Sequence, residues 1–273
     1  MAYARALQWL EQAKQKAAWG YLHGGAPRSE PTVWACAAGA EAPLSWMMKN
    51  DLEWSVLAAP AALSMHTGAE PFRAQLIKRV LAMRGEFVDD VTHLDGSIEG
   101  WSWVADSFSW LEPTAFAVIS LVRCGYEEHP RVIHGRALIR DRVCVDGGWN
   151  YGNSSMLGTD LPSYPHSTGW ALLALPRGDS LVARGMLRLQ EILKTPSTLS
   201  LAVAALAAGF HGVEPSPWLQ ALRARQSGDG SFGLGRVDRT ALAATALRME
   251  QERVTPLTGP VHWPDSSAEV VHE

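Results

Sequence analysis

The sequence predicts an all-α protein, one closed ring of about six helical hairpins around a central cavity, an (α/α)6 toroid. Three observations predict it. A short element recurs along the chain: a small or polar cap, then Thr, then an Ala-rich apolar helix. A more amphipathic segment with Lys, Arg or Gln on one face precedes each copy. The longest connections, 85–111 and 143–165, run from an amphipathic segment to an Ala-rich one, which puts them on one rim.

The recurring element reads SEPTVWACAAG (Thr32), LEPTAFAVISL (Thr114), PHSTGWALLAL (Thr168), TPSTLSLAVAAL (Thr198) and VDRTALAATAL (Thr240). A weaker copy, EWSVLAAPAAL, has Ser55 in the Thr position. Ala-rich helices with few charges are wrapped on all sides, whereas amphipathic ones keep a wet face. The alternation therefore predicts an inner ring inside an outer ring. The outer helices are expected near residues 5–18, 44–50, 72–84, 131–142, 181–194 and 218–226. Pro31 and Pro113 suit a first helical turn, where a missing N–H costs nothing. Gly39, Gly125 and Gly209 follow apolar runs and are expected to end helices. Residues 1–250 are expected to form one domain. The stretch 251–273 has several Pro and no period, and is expected as a tail docked through Trp263.

Composition narrows the function classes. With 47% apolar and 19% charged residues, the chain of 273 residues can build a sizeable core. A net charge of -4 argues against nucleic acid, whose phosphates need a basic face. Cys36, Cys124 and Cys144 are odd in number and widely spaced. They suit reduced thiols, hence a cytoplasmic location, better than a disulfide framework. No run approaches the roughly 18 apolar residues of a membrane span, so no transmembrane segment is expected. The partners left open are an apolar small molecule, a peripheral membrane surface and another protein. Twelve Trp against six Phe and five Tyr is an unusual bias. Many aromatics fall in the outer-to-inner connections.

Three of those connections share a Gly-aromatic turn: DGSIEGWSW (95–103), DGGWNYG (146–152) and QSGDGSFG (226–233). Asp and Gly make such a turn, and the aromatic is suited to plug the gap between hairpins. The last turn resembles the QW repeat of squalene-hopene and oxidosqualene cyclases. DGGW followed by a Thr-started helix resembles both those cyclases and the β-subunits of protein prenyltransferases. The resemblance implies a toroid and a terpenoid-type, apolar substrate. In class II cyclases the middle Asp of a D-x-D-D-T-A segment is the acid, and the matching segment here is Trp110-Leu111-Glu112-Pro113-Thr114-Ala115. The resemblance therefore implies Glu112 as the acid, without the two supporting Asp. Asp89-Asp90 lies in a loop with Phe87 where the first Asp would stand. In the prenyltransferases an Asp, a Cys and a His hold zinc. His166 resembles that His, while Asp146 has Gly148 where the Cys would be.

A polar residue stands two before Thr in four copies: Glu30, Glu112, His166 and Asp238. In a closed ring they face one mouth. Carboxylates gathered there suit general acid and base work, so Glu112, Asp238 and Glu30 are the catalytic candidates. Each also suits the first turn of its own helix, where an acid or a cap is favoured. His166 with Glu112 is the candidate pair for a divalent metal. Trp101, Trp103, Trp110, Trp149, Tyr151 and Tyr164 are the candidate substrate wall, able to face a cation with their rings. Arg28, Arg236 and Arg239 lie near the same rim and suit a diphosphate or carboxylate. His23 and His93 lie in the mouth loops. A non-catalytic lipid-binding or scaffolding ring, a partner-dependent subunit and a glycosidase of the same architecture are the competing readings.

Overall fold

The Thr-started segments become helices with almost no wet side. The structure is a computed structural model that describes residues 1–50, 58–86, 94–194 and 196–261. Helix α2 (Ser29–Ala38) buries every residue from Pro31 to Ala38. Helices α6 (Leu111–Arg123), α8 (Pro165–Ala174), α10 (Thr198–His211) and α12 (Val237–Glu252) are buried over most of their lengths. A helix apolar all round must be enclosed by others. The enclosing helices are α1 (Ala2–Ala13), α5 (Glu70–Ala82), α7 (Pro130–Asp141), α9 (Val182–Ile192) and α11 (Ser216–Arg223), each burying one stripe. Among the described residues, the second unit shows α3 (Leu44–Met47), α4 (Ala59–Ala62) and the 3-10 turn Leu63–Met65. Ser55 lies outside the described residues.

The buried helices touch one another in turn. Helix α2 packs on α4, α4 on α6, α6 on α8, α8 on α10, α10 on α12, and α12 back on α2. Each enclosing helix packs mainly against the buried helix before it in sequence: α7 on α6, α9 on α8 and α11 on α10. Helix α1 therefore packs on α12, so the first and last described helices meet. The α11–α12 turn clasps α1. Arg5 donates to the Ser227 and Gly228 carbonyls at 3.1 and 2.7 Å, Gln226 Nε2 to the Ala2 carbonyl at 2.9 Å, and Trp9 Nε1 to Asp229 at 3.1 Å.

Among the described residues the only strands are short. β1 (Ser155–Met156) pairs with β2 (Thr159–Asp160) in the long α7–α8 connection. β3 (Val254–Thr255) pairs with β4 (Gly259–Pro260) just after α12. Of the segment expected as a tail, this second hairpin packs on α12 and buries Leu257 and Thr255. Trp263 lies outside the described residues. Gly209, expected to end a helix, sits inside α10 against Met249. The stop falls at Gly212, whose φ of 73° a side chain would disfavour. No helix of the described residues is long and apolar enough to cross a membrane.

At the centre the buried helices meet through aromatic rings. Trp34 of α2 stacks on Trp170 of α8 with centroids 5.8 Å apart. Phe116 of α6 meets Trp170 edge-on at 4.8 Å and Trp34 at 5.8 Å. All three occupy the position two after the recurring Thr and are at most 5% exposed, so they fill the middle of the cycle with side chains.

Candidate functional site

The recurring Thr has one job, repeated four times. Its hydroxyl accepts the backbone N–H of an aromatic in the preceding loop: Thr32 from Trp19 at 3.1 Å, Thr114 from Trp101 at 3.0 Å, Thr168 from Trp149 at 2.9 Å and Thr240 from Phe232 at 2.9 Å. Each of these aromatics is 0% exposed. The three indoles each donate Nε1 at 2.7 Å to a carbonyl of the preceding enclosing helix, namely Leu10, Val80 and Ile139. Gly135 in α7 and Gly185 in α9 make room. A Cβ there would stand 2.9 Å from the Trp101 ring or 2.8 Å from the Trp149 ring. Gly inside a helix costs roughly 1 kcal/mol relative to Ala. Seating a buried indole is worth several times that.

Trp101 and Trp149, expected on a substrate wall, are therefore plugs between neighbouring enclosing helices. They have no surface left to offer a ligand. Thr198 does not share the Thr role, because it is the first residue of α10 and Ser197 caps that helix by accepting from Ser200 N at 3.1 Å. The register places Leu201 where Thr stands elsewhere, and the α9–α10 connection carries no aromatic to hold. The turn aspartates are likewise occupied. Asp95, Asp146 and Asp229 each accept the backbone N–H two residues on, the Asx-turn pattern. Asp146 also accepts from Ser163 and pairs with Arg188 at 2.9 Å. Burial pushes the Asp146 carboxyl up, but these bonds outweigh it and leave it below the usual range. Asp146 thus holds its own loop, and no Cys joins it in a metal set.

The four residues two before Thr gather at the N-terminal ends of the buried helices. His166 Nε2 lies 3.4 Å from Glu112 Oε1, and Ser167 donates to the same oxygen at 3.0 Å. Helix α8 thus supplies both neighbours of an α6 carboxyl. Glu30 accepts a short hydrogen bond from Tyr21 and a longer one, 3.4 Å, from Trp34 Nε1. Asp238 is buried and clamped by Arg236 through both oxygens at 3.0 Å, with Arg239 Nε 3.5 Å away. That carboxylate is engaged by two guanidiniums, which argues for holding the arginines and against acting as a free acid. Arg236 also lies over the Tyr21 ring at 5.4 Å.

Burial sets the protonation of the mouth. It pushes Glu112 above its ordinary value, against the Ser167 hydrogen bond and the Arg239 charge. Burial raises Glu30 too, against bonds from Tyr21 and Trp34 and with the Asp238 charge adding. Burial and then Arg239 hold His166 below its ordinary value. The touching pair Glu112 and His166 is thereby biased toward neutral acid beside neutral imidazole. Arg239 acts on Glu30, Glu112 and His166 alike, which puts its charge among them.

Tyr164 stacks on His166 with a 12° tilt at 6.3 Å, and Tyr151 meets Tyr164 at 5.2 Å and His166 at 5.7 Å. Both tyrosines are open to solvent, 48% for Tyr151 and 38% for Tyr164. They form an aromatic shelf beside Glu112. Trp103 is half-buried against Phe116, and Trp110 half-buried against Phe108. His23 is exposed and edge-on to Trp9, and Arg28 is exposed. Phe87, Asp89, Asp90 and His93 lie outside the described residues. Sequence reasoning passed over Ser167, and Tyr21 as a partner of Glu30. It also missed the Trp34, Phe116 and Trp170 cluster, whose signal was an aromatic two residues after Thr.

No family model matches the chain, and no curated protein matches it. Among solved structures it is similar to the type II terpene cyclase MstE from Scytonema, in apo form, at 13% identity and a TM-score of 0.40. That similarity covers 90% of this chain and 85% of the cyclase chain.

Proposed function

We propose that the protein is a single six-hairpin toroid, residues 1–250, whose mouth transfers protons to an apolar, isoprenoid-type substrate with Glu112 as the acid. One observation carries the reading: a carboxyl biased toward its protonated form touches a neutral-biased imidazole beside an exposed aromatic shelf. A general acid works best when its pKa is drawn toward the working pH. Glu112 would give its proton to an alkene or a leaving oxygen. His166, neutral, would take a proton back as product forms. Trp34, Phe116 and Trp170 fill the centre and are enclosed, so the substrate would rest on the exposed rings of Tyr151 and Tyr164. Asp238 and Glu30 would act as positioning residues for Arg236, Arg239 and Tyr21. The cyclase-like Gly-aromatic turns and the closed cycle of buried helices support the toroid and the substrate class.

A divalent metal at His166 and Glu112 fits poorly. A catalytic metal of the zinc type takes three protein ligands, and among the described residues no three His, Cys, Asp or Glu side chains come together. No step is assigned to a metal. The test is turnover of polyprene and prenyl alcohol or diphosphate substrates by the purified chain. Glu112→Gln should cut the rate at least a hundredfold, the usual scale of a lost general acid. Unaltered turnover by that variant would sink the assignment. The packed centre favours the scaffolding form of the second reading, a non-catalytic ring, over its lipid-binding form. Under it, no substrate turns over and native mass spectrometry finds no co-purified lipid.

A further inference from the structure

The opposite end of the ring carries a second feature that the mouth chemistry leaves unused. A cavity of about 140 Å³ lies there, where α6, α8 and α10 end, and the β3–β4 hairpin closes one side of it. Ile119, Leu173, Phe210 and Leu257 give it apolar walls, and Arg123 and Arg136 reach it.

The arginines at this rim are not equivalent. Arg136 donates Nε to the Ala174 carbonyl at 3.3 Å and pairs with Glu127 at 2.9 Å. Nearby Arg177 donates to the Phe210 and Pro260 carbonyls at 2.7 Å each and covers the Phe210 ring. Both are spent on helix-end and hairpin carbonyls. Arg123 differs: among the described residues its Nε is buried without a hydrogen-bond partner. Its guanidinium lies against Gly259 of the hairpin, where a Cβ would stand 3.7 Å from Nε and 3.8 Å from Cζ. A buried donor left unpaired is costly and calls for an acceptor.

We propose that this cavity binds a small amphiphilic carboxylate, its carboxylate on Arg123 and its hydrocarbon body among Ile119, Leu173, Phe210 and Leu257. An arginine fork matches a carboxylate with two parallel bonds. An apolar cavity of roughly 150 Å³ takes up benzene, so the body is limited to about six carbons. The site is independent of the mouth and does not rest on the proposed proton transfer.

Titration of the full chain with sodium hexanoate and with hexan-1-ol, followed by calorimetry and amide NMR, tests it. Hexanoate should bind about tenfold or more tightly than the alcohol, with shifts on Ile119, Phe210 and Leu257. Arg123→Met should weaken hexanoate about tenfold and leave the alcohol unchanged, and Arg123→Lys should fall between. Glu112→Gln should change neither, which separates this site from the mouth. Equal binding of acid and alcohol overturns the proposal, as does hexanoate binding that survives R123M or no binding at millimolar hexanoate. If R123M does not fold, the acid-to-alcohol ratio and R123K still decide.

Discussion

The recurring Thr and the residue two before it share the same first helical turns of α2, α6, α8 and α12, yet they live by different rules. The Thr is the same residue each time, fully buried, and makes the same bond to the same kind of loop aromatic. The other position changes from Glu to Glu to His to Asp, and its partners change with it. A residue that repeats with its geometry solves a problem that four of the units share, here an aromatic loop N–H that water cannot reach. A residue that varies in type, burial and partners solves no common problem. Its chemistry belongs to the particular place, and the Glu112 and His166 contact is such a place.

The largest effect that can break this comparison is on the Thr side. Thr114→Val, Thr168→Val and Thr240→Val each keep the shape and remove the acceptor of a buried N–H. Each should cost about 1–3 kcal/mol, the price of an unsatisfied buried donor, read from urea denaturation midpoints at unchanged slope. Thr198→Val should cost less than about 0.5 kcal/mol, because that hydroxyl holds no loop. Equal losses at all four sites would show that the hydroxyl matters to the helix and not to the plug.

This contrast also marks what the sequence could say. Alternation of Ala-rich and amphipathic segments revealed helix character and the buried cycle, since burial leaves its imprint on composition over ten or more residues. The plug role of the Gly-aromatic turns was legible for the same reason, as Asp, Gly and a large ring recur at fixed offsets. Thr198 misled because identity mimicked register: Ser197 caps α10, and the true equivalent is Leu201. Trp101 and Trp149 looked like pocket walls because an indole reads alike whether it faces a ligand or a neighbouring helix. The Ser167 bond to Glu112 joins residues 55 apart, and no local pattern encodes it. The phase of the hairpins was also hidden, since each enclosing helix is adjacent in sequence to two buried ones and packing alone picks one.

The next effect tests the varied side. Burial raises the folded-state pKa of Glu112 and of Glu30 above their unfolded value. A raised carboxyl contributes stability that is complete below the unfolded pKa, near 4.5, and that is lost as pH rises through the folded value. At pH 7–8 both groups therefore weigh against folding, and Glu112→Gln and Glu30→Gln should raise the Tm. The gain should be roughly 2–4 °C each, what about 1 kcal/mol does for a chain of this size. Near pH 4 the gain should vanish. A loss of Tm at pH 8 would mean that the charged carboxylates, and not their protonated forms, are what the mouth is built to hold.

The smallest effect is a shift in titration, and it asks whether the mouth is one electrostatic unit. Arg239 lowers Glu30, Glu112 and His166 together, although they come from three different helices. Arg239→Met should therefore move all three pKa values upward, as read from side-chain NMR across pH. For Glu112 this extends the protonated form to higher pH, and for His166 it brings the charged form closer to neutrality. His166 has its pKa depressed in the fold, so its neutral state supports stability above about pH 6.5. That support is lost as pH falls through the folded value, and the variant, by bringing the folded value closer to the unfolded one, should make the loss smaller. Arg28→Met is the control, because Arg28 is exposed and acts on none of the three. A shift in Glu112 without one in Glu30 would split the mouth into separate pairs, each tied to its own helix. Movement of all three would show that residues which never repeat in sequence have still been gathered around one charge.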